Sequence, residues 1–394
     1  MWPLQEIALA QRCCILIGRL DEEFDIGWIF LEPSGISVNT GIGSAYGGIF
    51  SLRHQYEHAM SLHKRLVSFF QSRFDDSNIR PSISEVLLGA RSLRATEPRD
   101  KVFGLHGVLQ RLHAPVGVPD YSRSVQDVYV EASTRAIRED SSLRIFEGLT
   151  GSSKFNLPSW CPDWSDHQHI TKVTDWARYE ASGLSAAQFD FQGQGLGLLV
   201  HGIRIDVVCQ EHLIFAATSQ LEEADTLRDT LTEPLEAPQK VPGDQYLDFL
   251  KCLFLDTWAS ESHMNRFDEI SRQMLLNNGR KGSKNGLAGM LGYRDGIVSG
   301  IGHLKTKFQL YIGLCRRLDR KTLFQTNGGR LGIASMHTKI GDSIVLLQGC
   351  NLPMVVRSEG NKWKLVAPAY VPADGIMNGK LWKLNGPLQS FSIT

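Results

Sequence analysis

From Arg330 to Trp382 the sequence runs strand, turn, strand, and no other stretch restricts the fold as closely. Gly341-Asp342 stands before Ser343 to Leu347, Gly349 to Pro353 before Met354 to Arg357, and Glu359-Gly360-Asn361 before Lys362 to Val366. Short apolar runs separated by turn residues predict a small antiparallel β-sheet or barrel. Alternating apolar residues in Leu196 to Val208 predict a further strand or hairpin, to be paired with the later ones.

The first half has a different period. Apolar residues recur at helical spacing in Leu4 to Ala10 and from His54 to Phe70, with a strand predicted over Cys13 to Gly18 and a Gly- and Ser-rich loop over 21–48. Ser82 stands three residues before Glu85, the spacing of a capping box, and starts a helix toward Leu93. Pro98 opens a short amphipathic helix through Leu109. Val125, Val128, Tyr129, Ala132, Ala136 and Ile137 mark a longer one over Val125 to Arg138. Leu157-Pro158-Ser159-Trp160-Cys161-Pro162-Asp163-Trp164-Ser165 has no period and reads as irregular chain.

Together these patterns predict an α+β fold. A mostly helical N-terminal part, residues 1–190, is followed by a small antiparallel β-sheet or barrel with helical insertions, residues 191–394. Helical text places the insertion at about 245–320, after an acidic, Pro-bearing linker over 219–245 and around a Gly-, Asn- and Lys-rich loop over 277–302. The 394 residues exceed the roughly 250–300 at which a single core stops growing, so two domains are expected. Lys and Arg number 42 against 42 Asp and Glu, a balance that gives no footprint for nucleic acid or an anionic membrane. No apolar stretch approaches the roughly 20 residues of a spanning helix. Seven Cys with no metal-type spacing, and an N-terminus without a leader pattern, predict reduced thiols in a cytoplasmic protein.

Four blocks and a tail resemble the fungal heterokaryon-incompatibility (HET) domain proteins, which trigger cell death when genetically unlike hyphae fuse. Trp2-Pro3-Leu4-Gln5-Glu6 is similar to the family's Trp-x-x-Gln-Glu motif. Arg94 to Leu105, containing Pro98-Arg99-Asp100-Lys101-Val102, is similar to its Pro-Arg-Asp-Lys-Val block. Pro119-Asp120-Tyr121-Ser122 with Tyr129, and Leu157 to Ser165 with Trp160, Asp163 and Trp164, are similar to two more. Gly341-Asp342, Pro353, Arg357, Tyr370-Val371 and Gly375-Ile376-Met377-Asn378-Gly379 follow the family's tail, although Ala367-Pro368-Ala369 replaces the usual Gly-Glu-Cys and Pro372-Ala373-Asp374 a single His. The family's opening Leu-Ser-Tyr-x-Trp-Gly block does not occur. The resemblance therefore implies a chain lacking most of the HET domain proper, either by truncation or by loss.

HET domains resemble the Toll/interleukin-receptor fold, some members of which cleave NAD with a glutamate. Glu6 is thus the one catalytic candidate, its carboxylate suited to an oxocarbenium-like transition state. Its place in the first turns of a predicted helix gives a second reading, stabilisation of the helix dipole. Arg99-Asp100 reads as an anion-binding arginine or as an ion pair fixing the helix start after Pro98. The Trp160, Trp164 and Trp176 group reads as a ligand platform or as a strap across a core, with Asp163 bonding backbone in the turn. His54 and His58 share a helical face, yet no HExxH pattern, P-loop or GxSxG stands in the sequence, and no cofactor or metal is expected. The resemblance implies self/non-self recognition and incompatibility-associated cell death through contacts with other proteins. The alternatives are an NAD-glycohydrolase-like effector whose catalytic half is missing and a non-functional truncated paralogue.

Overall fold

The computed structural model describes residues 14–16, 23–25, 62, 65, 66, 69, 80–91, 93–114, 117–166, 179–193, 196–214, 248, 251, 252, 320–384 and 387–394. Trp2, Gln5 and Glu6, the helix over Leu4 to Ala10, the loop over 21–48, His54 and His58, Trp176, and nearly all of the insertion at about 245–320 lie outside the described residues. The chain divides into two compact units, residues 1–148 with 153–170, and residues 149–152 with 171–394.

The first unit contains a short antiparallel pair, β1 (Cys14–Leu16) and β2 (Glu23–Asp25). Its helices are α1 (Ile83–Ala90), α2 (Asp100–Phe103), α3 (His106–Arg111) and α4 (Val125–Asp140), followed by a 3₁₀ turn, Arg144–Gly148. Ser82 caps α1 by accepting from Glu85 N at 3.2 Å, and Ser124 caps α4 by accepting from Asp127 N at 3.0 Å. The last residue of α4 then caps the first turn of α1: Asp140 accepts from Ile83 N at 3.0 Å and Ser84 N at 2.8 Å. A carboxylate there meets both the unpaired N–H groups and the positive end of the helix dipole. α4 buries Val128, Tyr129, Ala132, Ser133, Ala136 and Ile137, the stripe set by its 3.6-residue period, and ends at Ser141 in the left-handed region.

The second unit is built on β4 (Gly197–Ile214), with β3 (Phe189–Gln192), β5 (Lys321–Thr326), β6 (Leu331–Ser335), β7 (Ser343–Leu347), β8 (Met354–Glu359), β9 (Lys362–Pro368) and β10 (Gln389–Ile393). A short helix, α5 (Lys380–Leu384), precedes β10. The hydrogen-bonded order is β10-β9-β8-β7-β4-β5-β6, with β3 also on β4. That path closes twice. β10 runs antiparallel to the N-terminal half of β4 and parallel to the start of β9 through Ile393 and Trp363. At the other end β5 pairs with the C-terminal half of β4, and β6 reaches the chain after β9 through a bridge between Ile333 and Tyr370.

Three antiparallel steps separate β4 from β9, so their N-termini point to opposite ends of the sheet. A strand that touches both N-termini requires the ladder to be staggered, which is the shear of a closed barrel. Tyr370, Phe324, Leu346, Val355 and Ile333 fill the enclosed core, each at most 2% exposed. Such side chains each contribute about 1.5–3 kcal/mol on burial.

Gly202 sits where β4 passes from one partner to the other, opposite Gln389 of β10 and Leu347 of β7. A Cβ at this position would lie 2.3 Å from the Leu346 carbonyl oxygen, a backbone atom that cannot swing aside. Gly202→Ala is therefore expected to cost about 1–3 kcal/mol, as overpacked substitutions do. A thermal melt reads this directly; an unchanged midpoint would show that the two seams tolerate separation at Gly202.

Candidate functional site

In the first unit the chain blocks singled out by sequence meet around two buried cations. Arg91, at the end of α1, is 4% exposed, and Lys101, in α2, is also 4% exposed. Arg91 donates to three carbonyls: Asp166 O at 3.0 Å, Asp163 O at 3.1 Å and Gly148 O. Lys101 Nζ donates to Arg91 O at 2.8 Å and to Leu93 O. Burial lowers both pKa values, that of Lys101 to about 8, and Arg91 lowers that of Lys101 further; Asp163 and Asp166 oppose this at both. The guanidinium is held by carbonyl dipoles and leaves no open face for an anion.

The stretch from Leu157 to Ser165 crosses this core. Trp160 and Trp164 are 0% and 1% exposed, and the Trp164 indole N–H donates to Ser133 Oγ at 3.2 Å. Asp163, itself buried, accepts from Ser165 N at 2.9 Å and Ser165 Oγ at 2.6 Å on one oxygen, and from Lys154 N at 3.1 Å on the other. It thus satisfies main-chain donors of an irregular segment. Cys161 faces Ser133 at 3.4 Å, and burial pushes its thiol up to about 12, far from a thiolate.

Arg99 and Asp100 find different partners. Arg99 Nε pairs with Glu97 at 2.7 Å, and its Nη1 donates to Tyr121 O and to Arg123 O at 2.9 Å. Asp100 accepts from the Tyr121 hydroxyl at 2.5 Å, the main reason that phenol is pushed up to about 12. The guanidinium also lies 5.6 Å from the Tyr121 ring centroid. Asp120 accepts from Ser122 N at 2.9 Å and Ser122 Oγ at 2.7 Å, closing the turn.

In the second unit Asp342 and Arg357 form a bidentate pair at 2.8 and 2.9 Å, and Arg357 also donates to His337 O at 2.8 Å. Asp342 accepts from Lys339 N at 2.8 Å, across a turn in which Gly341 takes φ +93°. Arg330 bridges Asp206 and Asp374, 2.6 Å from each, and Asp374 precedes Gly375, both at positive φ. Tyr370 is buried in the barrel core. Sequence reasoning gave no bonding role to Arg91, Asp140, Asp206 or Arg330, because each bonds to chain far away in sequence; Lys101 lies in a recognised block, but its acceptors, Arg91 O and Leu93 O, are main-chain carbonyls that residue type does not mark. Among the described residues, no group of three His, Cys, Asp or Glu side chains is placed to hold a metal ion, and no helix is long and apolar enough to cross a membrane.

The second unit, then, is a closed barrel whose turns are pinned by Asp–Arg pairs. Residues 298–387 match the family model of the Het-6 beta-barrel domain. This similarity relates the chain to the heterokaryon-incompatibility proteins. It takes in β5 to β9 and α5, whereas β4 and β10, which close the barrel, lie outside the matched residues. No curated protein and no solved structure matches the chain.

Arg99→Ala removes the tie between the α2 start and the turn at Tyr121, and is expected to lower the melting temperature by a few degrees. Arg99→Lys, which cannot hold the same three oxygens with one planar group, should restore only part. A melt of Arg99→Ala at the parental temperature would refute the tie.

Glu147 lies in the 3₁₀ turn. Its side chain is buried, its Oε1 has no hydrogen-bond partner among the described residues, and Arg144 Nε is 3.7 Å away. Burial, with Glu85 adding and Arg144 opposing, pushes the carboxyl up to about 7. The folded value lies above the unfolded one, so its contribution is full below the ordinary carboxylate range and is lost as pH rises through about 7. The wild type should lose thermal stability over that interval, and Glu147→Gln should flatten the loss. An equal slope in both proteins would exclude Glu147 as its source.

Proposed function

We propose that this protein acts in fungal self/non-self recognition and incompatibility-associated cell death, and that it does so through contacts with other proteins. The similarity of residues 298–387 to the Het-6 beta-barrel domain is the observation that carries the reading. The polar side chains of the recognised blocks support it. Asp163, Asp342, Arg357 and Arg99 are engaged by backbone groups or by each other, in the service of turns and straps, so the same blocks serve as scaffold. The loop bearing Asp120 presents Tyr121, 48% exposed, beside Arg99, and Val118, 79% exposed. Tyr and Arg are residue types that dominate binding energy when a partner covers them.

Expression in an otherwise compatible hyphal background should reduce viability after fusion. Purified protein incubated with NAD should release no nicotinamide, which separates a contact-driven response from glycohydrolase chemistry. Unchanged viability after fusion would overturn the reading.

A further inference from the structure

The barrel unit carries a group of positive charges that its own described residues leave partly unneutralised. The β8–β9 register places Arg357 directly opposite Lys364. Opposed side chains of an antiparallel pair share a face, with Cβ atoms roughly 4.5–5.5 Å apart, and like charges there repel. The loop after β6 adds His337 and Lys339. The His337 carbonyl accepts from Arg357 at 2.8 Å, and Met336 N donates to the Arg320 carbonyl at 2.9 Å, which ties the loop to the start of β5.

The loop's position is closely fixed. Ser335 Oγ donates to Thr150 O at 2.6 Å, and Gly151 at φ +86° packs so near that an added Cβ would lie 2.8 Å from the His337 Cβ. Burial, together with Arg320, Arg357, Lys339 and Lys364, holds the His337 imidazole below its ordinary range. Asp342 neutralises Arg357, and Glu359 and Glu211 act on Arg357 from further off. No ion-pair partner is found for Lys339 or Lys364 among the described residues. Between His337 and Lys339 the Thr338 hydroxyl is buried, 1% exposed in the residue as a whole, with no hydrogen-bond partner among the described residues.

We propose that His337, Lys339 and Lys364, backed by Arg320 and Arg357, form an anion-binding site for a phosphate-bearing ligand. Several separate cations on the β8–β9 pair and the adjoining loop after β6 suit a compact multiply charged anion better than a single carboxylate. The mutual repulsion that the bare site sustains becomes attraction once such an anion is bound. The site lies in the barrel unit and stands apart from the recognition role proposed above, so either can fail alone.

The test uses the full chain, with inorganic pyrophosphate as a soluble probe and phosphatidylcholine vesicles with and without phosphatidic acid as a headgroup probe, at constant ionic strength. Pyrophosphate should raise the melting temperature and bind saturably, and should move the His337 imidazole pKa upward in an NMR titration. Lys339→Gln with Lys364→Gln should abolish both effects. Lys364→Glu should melt higher than wild type without ligand, because it converts a repulsive cross-strand pair into an attractive one, and should not respond to pyrophosphate. Binding to the phosphatidic acid vesicles alone, lost in the double variant, would assign the phosphate to a lipid headgroup. Failure of both probes to bind, or binding retained by the double variant, would overturn the proposal.

Discussion

The barrel depends on one strand that changes partners along its length. A strand of 18 residues is several times the length of the others, and no single neighbour could pair with all of it. β4 solves this by giving its N-terminal half to β10 and β3, its middle to β7 and its C-terminal half to β5. Register shifts between Arg204 and Asp206, Val208 and Gln210, and Glu211 and Leu213 mark where it bends to do so. Such bulges raise local twist and let one strand serve two sheet segments. Gly202 and Asp206 flank the first handover. The glycine admits the Leu346 carbonyl, and the aspartate turns to accept from Val207 N, Gly328 N and Arg330.

The first unit rests on a different device, the burial of two cations among carbonyls. Removing Arg91 and Lys101 from water is costly, and among the described residues no carboxylate side chain bonds directly to either group. What compensates is geometry. The carbonyls of Arg91 and Leu93, just past α1, and those of Gly148 and Asp166 lie outside helix and ladder, and the ammonium and the guanidinium fork supply donors to them and to Asp163 O, which also accepts from Asp166 N. One planar group thereby ties the end of α1, the 3₁₀ turn and the Trp-bearing strap together. The cost of the charges and the cost of unbonded carbonyls offset each other, and neither would be tolerable alone.

What the sequence discloses of this follows the range of each interaction. The α4 stripe and the Ser82 and Ser124 caps are local, and the residue types spell them out. Reciprocal capping by Glu85 was expected on the same grounds, but Glu85 pairs with Arg65, a partner twenty residues away. The helix expected from Pro98 through Leu109 divides at Gly104 and Leu105, where Leu105 N bonds back to Val102 O and tightens the turn. Gly at that point has little propensity to carry the helix through. Alternation ends near Val208, yet β4 continues to Ile214 because β5, over a hundred residues later, pairs with it. The strap over Leu157 to Ser165 is legible as irregular chain, but the acceptors that need Arg91 are not. Glu6, Trp2 and Gln5 lie outside the described residues.

The blocks that make the family resemblance visible share a physical role. Pro98 to Lys101 at the start of α2, Pro119 to Ser122, Leu157 to Ser165 and Gly341-Asp342 each lie at or beside a break in regular structure, where some main-chain groups have no helix or ladder to satisfy them. Their Arg, Lys, Asp and Tyr side chains meet that need, and this fixes both their type and their order along the chain. A sequence reader drawn to clusters of charge is therefore led to scaffold first. Charges that the scaffold does not use are the better guide to ligands, and they stand out only after the bonded ones are subtracted. Arg357 illustrates the difference: sequence marks it, and Asp342 and His337 O account for it. Its cross-strand neighbour Lys364 carries no motif, and the repulsion between the two, visible only in the β8–β9 register, supports the anion site proposed above.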